Sequence, residues 1–130
     1  MKFSIESKQG HARAGSLTIN NKTIDTPAFM TIGTYGSVKT MDTYDLKKCN
    51  VEIILSNAFH LMLRPGTNLI EKVGGLHQLM NWDGLILTDS GGYQVFSLGK
   101  DVKISKKGAE FRSPFNGDKV FMSPEISIDV

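Results

Sequence analysis

The sequence predicts an α/β protein in which short buried strands alternate with helices. Three apolar runs, at residues 28–32, 51–55 and 85–87, have the length and composition of strands buried in a parallel sheet. Helix signals fill the intervals between these runs. Segments on either side of them, at 2–6 and 99–122, alternate polar and apolar residues with the period of two that is typical of antiparallel strands. We therefore predict three parallel βα units framed by two antiparallel β units.

Length and composition limit the number of domains and the classes of protein that this prediction allows. The chain has 130 residues, 40% of them hydrophobic and 22% charged, which is enough for the core of one domain at most. A net charge of +2 does not by itself predict a nucleic-acid partner. The single cysteine excludes an internal disulfide. No stretch approaches the ~20 apolar residues of a membrane helix, so we expect a cytoplasmic protein without a membrane segment.

The antiparallel unit at 1–25 precedes the parallel strands. Its first strand is predicted at 2–6, a loop at 10–15, and a second alternating segment around Leu17 and Ile19. Asn20 and Asn21 offer a turn after that segment. We expect this unit to cover the amino-terminal end of the parallel strands.

The helices between the apolar runs carry recognisable caps and faces. Asp42 is predicted to cap the first helix, whose inner face holds Leu46 and Cys49, so Cys49 is predicted to pack in the core. The second helix is predicted to end at the Gly74-Gly75 pair. The residues predicted to pack inward later in the chain are Leu69, Ile70, Val73 and Trp82.

Two histidines raise the question of a metal site. His60 and His77 lie 17 positions apart and have no cysteine to complete a ligand set. We therefore predict helix-surface or packing roles for both and no metal ligand in this chain. Nucleotide-binding glycine motifs are also absent from the sequence.

The strongest chemical signal follows the third apolar run. Asp89 stands where the predicted strand ends, Ser90, Gly91 and Gly92 turn the chain, and Tyr93 follows. A carboxylate at the carboxyl end of a strand, before a glycine turn, is how α/β enzymes build their sites. A plain turn with a solvated aspartate explains the short string equally well.

Longer strings decide between these two interpretations. Residues 74–98, GGLHQLMNWDGLILTDSGGYQVFSL, closely resemble the tRNA-guanine transglycosylases, and so do 26–34 and 55–66. The resemblance runs from about Thr18 to Val130 in the order and spacing of that family. One departure is Ala58-Phe59, which stands where the family is expected to have Thr-Tyr.

The resemblance implies the amino-terminal part of a (β/α)8 barrel, a fold of about 250 residues. On this basis residues 1–25 form the antiparallel unit, 26–98 the first three βα units and 99–122 a β insertion with a hairpin at Asn116-Gly117. Residues 123–130 begin a helix with Ser123 as cap and Pro124 at its first position. We expect this helix, and the barrel, to continue in a longer chain.

The resemblance also implies an activity, the exchange of guanine in a tRNA anticodon for a 7-deazaguanine, queuine or its precursor, in queuosine modification. A covalent ribosyl-enzyme would hold the tRNA, as in retaining glycosidases. Asp89 matches the carboxylate that moves protons and binds the base, Tyr93 the aromatic that stacks on it, and Ser90, Gly91 and Gly92 the rest of the base-binding loop. The expected partners are tRNA, guanine and the 7-deazaguanine.

The resemblance places the remaining machinery elsewhere. The nucleophilic aspartate and the Cys/Cys/Cys/His ligands of a zinc ion would lie beyond residue 130, in a full-length protein expected to be a homodimer. Alone, residues 1–130 are therefore expected to be inactive. Two alternatives stay open: a non-catalytic partner subunit of such an enzyme, and another barrel enzyme in which Ser90, Gly91 and Gly92 cradle a phosphate.

The β insertion carries an excess of positive charge. Six cations stand against Asp101, Glu110 and Asp118, and they are Lys100, Lys103, Lys106, Lys107, Arg112 and Lys119. Contact with tRNA phosphate and a simple solvated hairpin face both account for this pattern.

Overall fold

The computed structural model describes residues 1–130 and contains three separate three-stranded sheets. The chain is of the mixed α/β class that the sequence predicts. The middle sheet is parallel and open, and no closed barrel is present. The first and last sheets are antiparallel, and we call them the N-terminal sheet and the insertion sheet.

The N-terminal sheet consists of β1 (Lys2–Gln9), β2 (Ala12–Ile19) and β3 (Lys22–Thr26) in sequential order. The Asn20-Asn21 turn is confirmed, with positive φ at both residues. The predicted loop at 10–15 is wrong, because only two residues separate β1 from β2. Gly15 lies within β2 opposite Ile5, and a Cβ there would overlap the carbonyl oxygen of Ser4. Gly15 thus permits close approach of two strands and does not mark a loop.

The parallel sheet consists of β4 (Thr31–Ile32), β5 (Ile53–Asn57) and β6 (Leu85–Asp89), with β5 in the centre. All three strands predicted from the apolar runs exist, with shifted bounds. The first is shorter than predicted, and the second and third extend two residues further. The extension matters because it brings Asn57 and Asp89 into the sheet as register partners.

The N-terminal sheet packs against the amino ends of the parallel strands. Ile24 of β3 forms a buried cluster with Ile53 and Leu85, the first residues of β5 and β6. Leu17 and Ile19 pack around this cluster from β2. The contact lies where the sequence analysis expects the N-terminal unit to lie.

Helix α1 (Thr43–Lys48) begins as predicted and buries a single residue. Asp42 caps it by accepting a hydrogen bond of 2.8 Å from the Asp45 N–H, and Leu46 is buried. The prediction that Cys49 packs in the core is wrong, because this side chain is exposed. The helix ends at Lys48, so Cys49 is its C-cap and no longer follows the inner face.

Three further short helices are α2 (Ala58–Leu63), α3 (Thr67–Lys72) and α4 (Leu76–Met80). Gly74 and Gly75, both with positive φ, separate α3 from α4 as predicted. Of the residues predicted to face inward from α3, Ile70 is buried, but Leu69 and Val73 are exposed. Six residues form too short a helix to bury a full apolar face.

Trp82 is confirmed as a packing anchor. Its side chain is buried in the cluster with Leu46, Ile54 and Met80. The indole Nε1–H donates a hydrogen bond of 3.1 Å to the carbonyl oxygen of Leu85, which satisfies the polar atom of a buried ring.

After β6 the chain forms α5 (Gly92–Ser97), a 3₁₀ turn (Gly99–Asp101) and the insertion sheet, with β7 (Lys103–Ser105), β8 (Gly108–Arg112) and β9 (Lys119–Met122). Helix α6 (Pro124–Asp129) follows, capped by Ser123 as predicted. The inner face of the sheet buries Ala109, Phe111 and Met122 against Ala58 and Phe59 of α2. No helix of the structure has the length and apolar character needed to cross a membrane.

Candidate functional site

Asp89 lies at the carboxyl edge of the parallel sheet. It is the last residue of β6, it pairs in register with Asn57 at the end of β5, and its side chain is exposed. Loops at this edge are where open and closed parallel sheets place their ligands. The strand end predicted from the sequence therefore presents a carboxylate to solvent at the expected edge.

Both oxygens of the Asp89 carboxylate are held by hydrogen bonds. Oδ1 accepts from the backbone N–H of Gly91 at 3.3 Å, and Oδ2 accepts from Nδ2 of Asn57 at 3.2 Å. An ionised carboxylate has about four acceptor positions, so unused lone pairs remain on both oxygens. The carboxylate is thereby oriented from two sides and can still accept further hydrogen bonds from a ligand.

Asn57 connects three parts of the site through one buried amide. Its Oδ1 accepts from the N–H of His60 at 3.2 Å and so caps α2. Its Nδ2 donates to Asp89 and also, at 3.2 Å, to Oε1 of Gln94 on α5. All hydrogen-bonding atoms of this amide are engaged within the protein, which fixes its orientation.

The sequence analysis did not assign Asn57 and Gln94 to the site. Both lie inside the segments that carry the family resemblance, but nothing in their local sequence marks them as neighbours of Asp89. The signal that could have found Asn57 is its place two residues beyond the second apolar run, the same place that Asp89 occupies after the third.

Gly91 determines how the Asp89 loop, residues 89–92, packs on the protein. It is buried, its φ is +79°, and a Cβ at this position would overlap the Cβ of Phe59. Positive φ and close backbone approach are both conditions that favour glycine. Of the two glycines predicted to turn the chain, only Gly91 has positive φ, and Gly92 is the first residue of α5.

Tyr93 follows this loop on α5, and Ser90 is part of it. The Tyr93 ring is 73% exposed, and Phe96, one helical turn later, is 78% exposed. The Ser90 carbonyl oxygen accepts a hydrogen bond of 3.1 Å from Oγ of Ser127 on α6. A cavity of about 410 Å³ opens between the loop and α6. Of the predicted site residues, Asp89, Ser90, Gly92 and Tyr93 are exposed and Gly91 is buried.

The two predicted packing histidines have different surroundings. The His60 ring lies edge-on to Tyr35 and Phe59, with centroid separations of 5.0 Å and 5.2 Å, and its buried Nδ1 has no hydrogen-bond partner. Burial lowers the pKa of the His60 imidazole. A ring nitrogen of His77 lies 3.1 Å from the Gly84 carbonyl oxygen.

The residues of this chain do not fit a zinc ion. Histidine, cysteine, aspartate and glutamate nowhere form a group of three or more that could hold a metal. His60, the most enclosed of the histidines, faces aromatic rings. A stable zinc site uses three or four such ligands, so no chemical step through a metal follows from these residues.

An α/β fold with a hydrogen-bonded carboxylate, a tight glycine turn and an exposed aromatic after one strand has the features with which α/β enzymes build their sites. Comparison with known proteins specifies the family. The family model described as queuine tRNA-ribosyltransferase matches residues 7–130. The chain therefore belongs to the queuine tRNA-ribosyltransferase family, which is a family of transglycosylase enzymes.

Individual relatives agree with this assignment. Proteins named queuine tRNA-ribosyltransferase from Herminiimonas arsenicoxydans, Hydrogenovibrio crunogenus and Francisella tularensis subsp. novicida are 54%, 55% and 55% identical over 130 residues. Each match covers 100% of this chain and 35% of the relative. The chain thus spans about a third of the length of the curated relatives that it matches.

Proposed function

We propose that this chain supplies the base-recognition part of a tRNA-guanine transglycosylase, which exchanges guanine in a tRNA anticodon for a 7-deazaguanine, queuine or its precursor. The observation that carries the proposal is the Asp89 carboxylate, held by Gly91 and Asn57 at a sheet edge, with the exposed Tyr93 four residues later in the chain on α5. Family membership supplies the reaction, and this geometry supplies a place for the base.

The chemistry assigned to Asp89 is proton transfer together with base recognition. A guanine that leaves C1′ of its ribose carries an additional electron pair, and the incoming base must lose a proton before it attacks. A carboxyl group within hydrogen-bond distance of the bound base can serve both needs: in its protonated form it gives its proton to the departing guanine, and the carboxylate so formed takes a proton from the incoming base. The lone pairs left on Asp89 are available for this contact because its protein partners use only part of its capacity.

Retention of the tRNA during exchange requires a covalent holder for the ribose, and a second carboxylate fills this role by attack at C1′. We place that nucleophile, and the zinc ligands of the family, in the two thirds of the family length that this chain does not cover. The three parallel strands would then be the first three of eight in a closed barrel. In this arrangement residues 1–130 alone catalyse no exchange.

The role assigned to Tyr93 is stacking. A base must leave the RNA stack to reach Asp89, and the target in a tRNA loop is the least costly to extract. The exposed Tyr93 ring would replace the lost stacking, at about 1–3 kcal/mol per base. Ser90, Gly91 and Gly92 complete the loop: Ser90 and Gly92 are exposed, whereas the buried Gly91 orients the carboxylate through its N–H.

The proposal is tested in an enzyme of family length. Residues 1–130 replace the segment that they match in the Herminiimonas arsenicoxydans relative, and we call the product the family-length enzyme. With labelled guanine and unmodified tRNA, we expect label to enter the tRNA, and mass spectrometry should detect incorporation of a supplied 7-deazaguanine. A folded product that binds tRNA but incorporates neither base would contradict the proposal and favour the non-catalytic partner subunit.

A further inference from the structure

The insertion sheet has two faces of opposite character. Its inner face buries Ala109, Phe111 and Met122 against α2. The pairing register places a second set of residues together on the other side, which we call the outward face. This set comprises Lys103, Glu110, Arg112, Lys119 and Phe121, all of them exposed.

Positive charge is concentrated in this part of the chain. Residues 99–122 carry six cations and three acids, a net charge of +3, whereas the whole chain carries +2, so the remaining residues carry −1. Composition alone conceals this asymmetry, because the acids of other segments cancel it. A localised basic surface on a nearly neutral chain is the electrostatic mark of contact with a polyanion.

The cations of the outward face have no acidic partners. The protein contains one ion pair within 4.0 Å, between Lys47 and Asp83, and it lies outside the insertion sheet. Lys103 stands opposite Glu110 in the register without forming an ion pair. Arg112 uses Nη1 to donate a hydrogen bond of 2.9 Å to the Gly117 carbonyl oxygen, which leaves most of its five N–H donors free.

One pair on this face opposes like charges. Arg112 of β8 and Lys119 of β9 are direct cross-strand partners. Like charges in this relation destabilise a sheet unless an anion lies between them. Phe121, on the same face and 43% exposed, adds an aromatic surface beside the cations. Cations interleaved with an exposed aromatic ring are typical of surfaces that follow an RNA backbone.

The position of the sheet connects this face to the candidate site. Phe111 of the inner face stacks on Phe59, with ring centroids 5.3 Å apart, and Phe59 in turn supports Gly91 of the Asp89 loop. Helix α6 leaves β9 directly and returns to the loop through the Ser127–Ser90 hydrogen bond. The insertion sheet is therefore built against the carboxyl end of the parallel strands, where the base is proposed to bind.

We propose that the outward face of the insertion sheet binds phosphates of the tRNA whose base enters the Asp89 loop. This inference rests on the proposed function, because that function makes tRNA the polyanion at this end of the molecule. The face positions the tRNA and carries no sequence information, since its cations contact phosphate and not base edges.

The N-terminal sheet provides a matched control. There Lys8 and Arg13 are direct cross-strand partners, both exposed, so the pair has the same composition and geometry as Arg112 and Lys119. That sheet packs at the amino end of the parallel strands, away from Asp89. Substituting either pair by alanine removes two positive charges, so a difference between the two variants reports where the charges lie and not how many there are.

The experiment measures binding of a fluorescent tRNA to the family-length enzyme by anisotropy over a range of salt concentrations. For Arg112→Ala/Lys119→Ala we expect an affinity about tenfold lower and a slope of log K against log salt reduced by about 1 to 2, as the loss of two phosphate contacts predicts. For Lys8→Ala/Arg13→Ala we expect little change. In exchange kinetics the outward-face variant should raise the KM for tRNA, whereas Lys8→Ala/Arg13→Ala should leave both the KM for tRNA and the exchange rate unchanged.

A second variant protects the test against misfolding. Lys103→Ala/Lys119→Ala removes two charges from the outward face but keeps the Arg112–Gly117 hydrogen bond, and it should reproduce the affinity loss. Equal losses from the two matched pairs, or no loss from either outward-face variant, would overturn the inference. Absence of base exchange in the unsubstituted enzyme would instead refute the proposed function, since tRNA binding is measured independently.

Discussion

The N-terminal sheet and the insertion sheet have the same number of strands and the same antiparallel connections, but the first packs on the amino ends of the parallel strands and the second packs on α2, which follows the carboxyl end of β5. The N-terminal sheet uses Ile24 to cover Ile53 and Leu85, an entirely apolar contact at the amino end. The insertion sheet uses Phe111 to support Phe59 under the Asp89 loop. The two sheets have similar architecture, so their different roles follow from their positions: the N-terminal sheet only buries apolar strand ends, whereas the insertion sheet packs under the Asp89 loop.

The largest difference between the two ends should come from carboxylates at the opposite ends of β6. Asp83 precedes the strand and pairs with Lys47 at 3.0 Å, whereas Asp89 ends it. In the family-length enzyme we expect Asp89→Asn to lower the rate of guanine exchange by about 10²–10⁴-fold, the usual contribution of a general acid or base. Asp83→Asn should leave the rate unchanged. Near-normal exchange by Asp89→Asn would refute the assigned role.

The next largest effect separates the two sheet contacts. Phe111 and Ile24 are both almost fully buried, so truncation of either to alanine should lower the free energy of unfolding, by about 3–5 and 2–5 kcal/mol respectively. Only Phe111→Ala should also raise the KM for the base, because Phe59 and Gly91 lose their support. Thermal unfolding combined with exchange kinetics provides both readings. An equal rise in KM from Ile24→Ala would contradict the distinction.

A comparison of two glycines tests the close packing of the Asp89 loop. Gly91 and Gly10 both have positive φ, at +79° and +60°, but a Cβ meets Phe59 at Gly91 and nothing within 4 Å at Gly10. Gly10→Ala should cost about 1–2 kcal/mol of unfolding free energy through backbone strain alone. Gly91→Ala should cost a further ~1–3 kcal/mol through overpacking and should impair exchange. Equal costs would show that Phe59 yields without strain.

A smaller effect is expected at Tyr93. If its ring stacks on the base, Tyr93→Phe should be mild and Tyr93→Ala should weaken base binding by about 1–3 kcal/mol. Calorimetric titration of the family-length enzyme with guanine measures both. The matched exposed aromatic at the amino end is Phe3, which is 51% exposed on β1, and Phe3→Ala should leave base affinity unchanged. Equal damage from Tyr93→Phe and Tyr93→Ala would assign the role to the hydroxyl.

The smallest expected effect is the contribution of His60 to the pH dependence of stability. Burial lowers the pKa of His60 below its ordinary value of 6.5, so the unfolded chain binds more protons than the folded one just below that pH. His60 therefore makes the free energy of unfolding sensitive to acid: it is highest above pH 6.5, declines as the pH falls from 6.5 towards the folded pKa, and changes no further below that pKa. In an NMR titration the signal lost in His60→Gln should move at a pH below 6.5. A midpoint at or above 6.5 would contradict the assignment.

The sequence predicted the elements whose signals are local. The third apolar run, the glycine turn and the helix caps at Asp42 and Ser123 each depend on residues a few positions apart, and the structure contains all of them. The errors arise where a local signal is opposed by a distant contact. Gly15 resembles a loop residue, but the approach of β1 requires a residue without a side chain at that point.

The missed site residues have the same explanation. Asn57 and Asp89 are 32 positions apart and become neighbours only because β5 and β6 pair in parallel with one particular register. Periodicity identifies strands but does not state which residues of two strands stand side by side. Cys49 was assigned to the core by extending a helical face one residue too far, and the end of a short helix is the least predictable part of it.

The buried amide of Asn57 determines which groups of the site donate hydrogen bonds and which accept them. Because its oxygen must face the His60 N–H, its nitrogen must face Asp89 and Gln94, and Gln94 must in turn offer its own oxygen to Asn57. The donor group of Gln94 is then left for other partners, whereas Asp89 has only lone pairs to offer. A helix cap thus sets the hydrogen-bond polarity at the sheet edge.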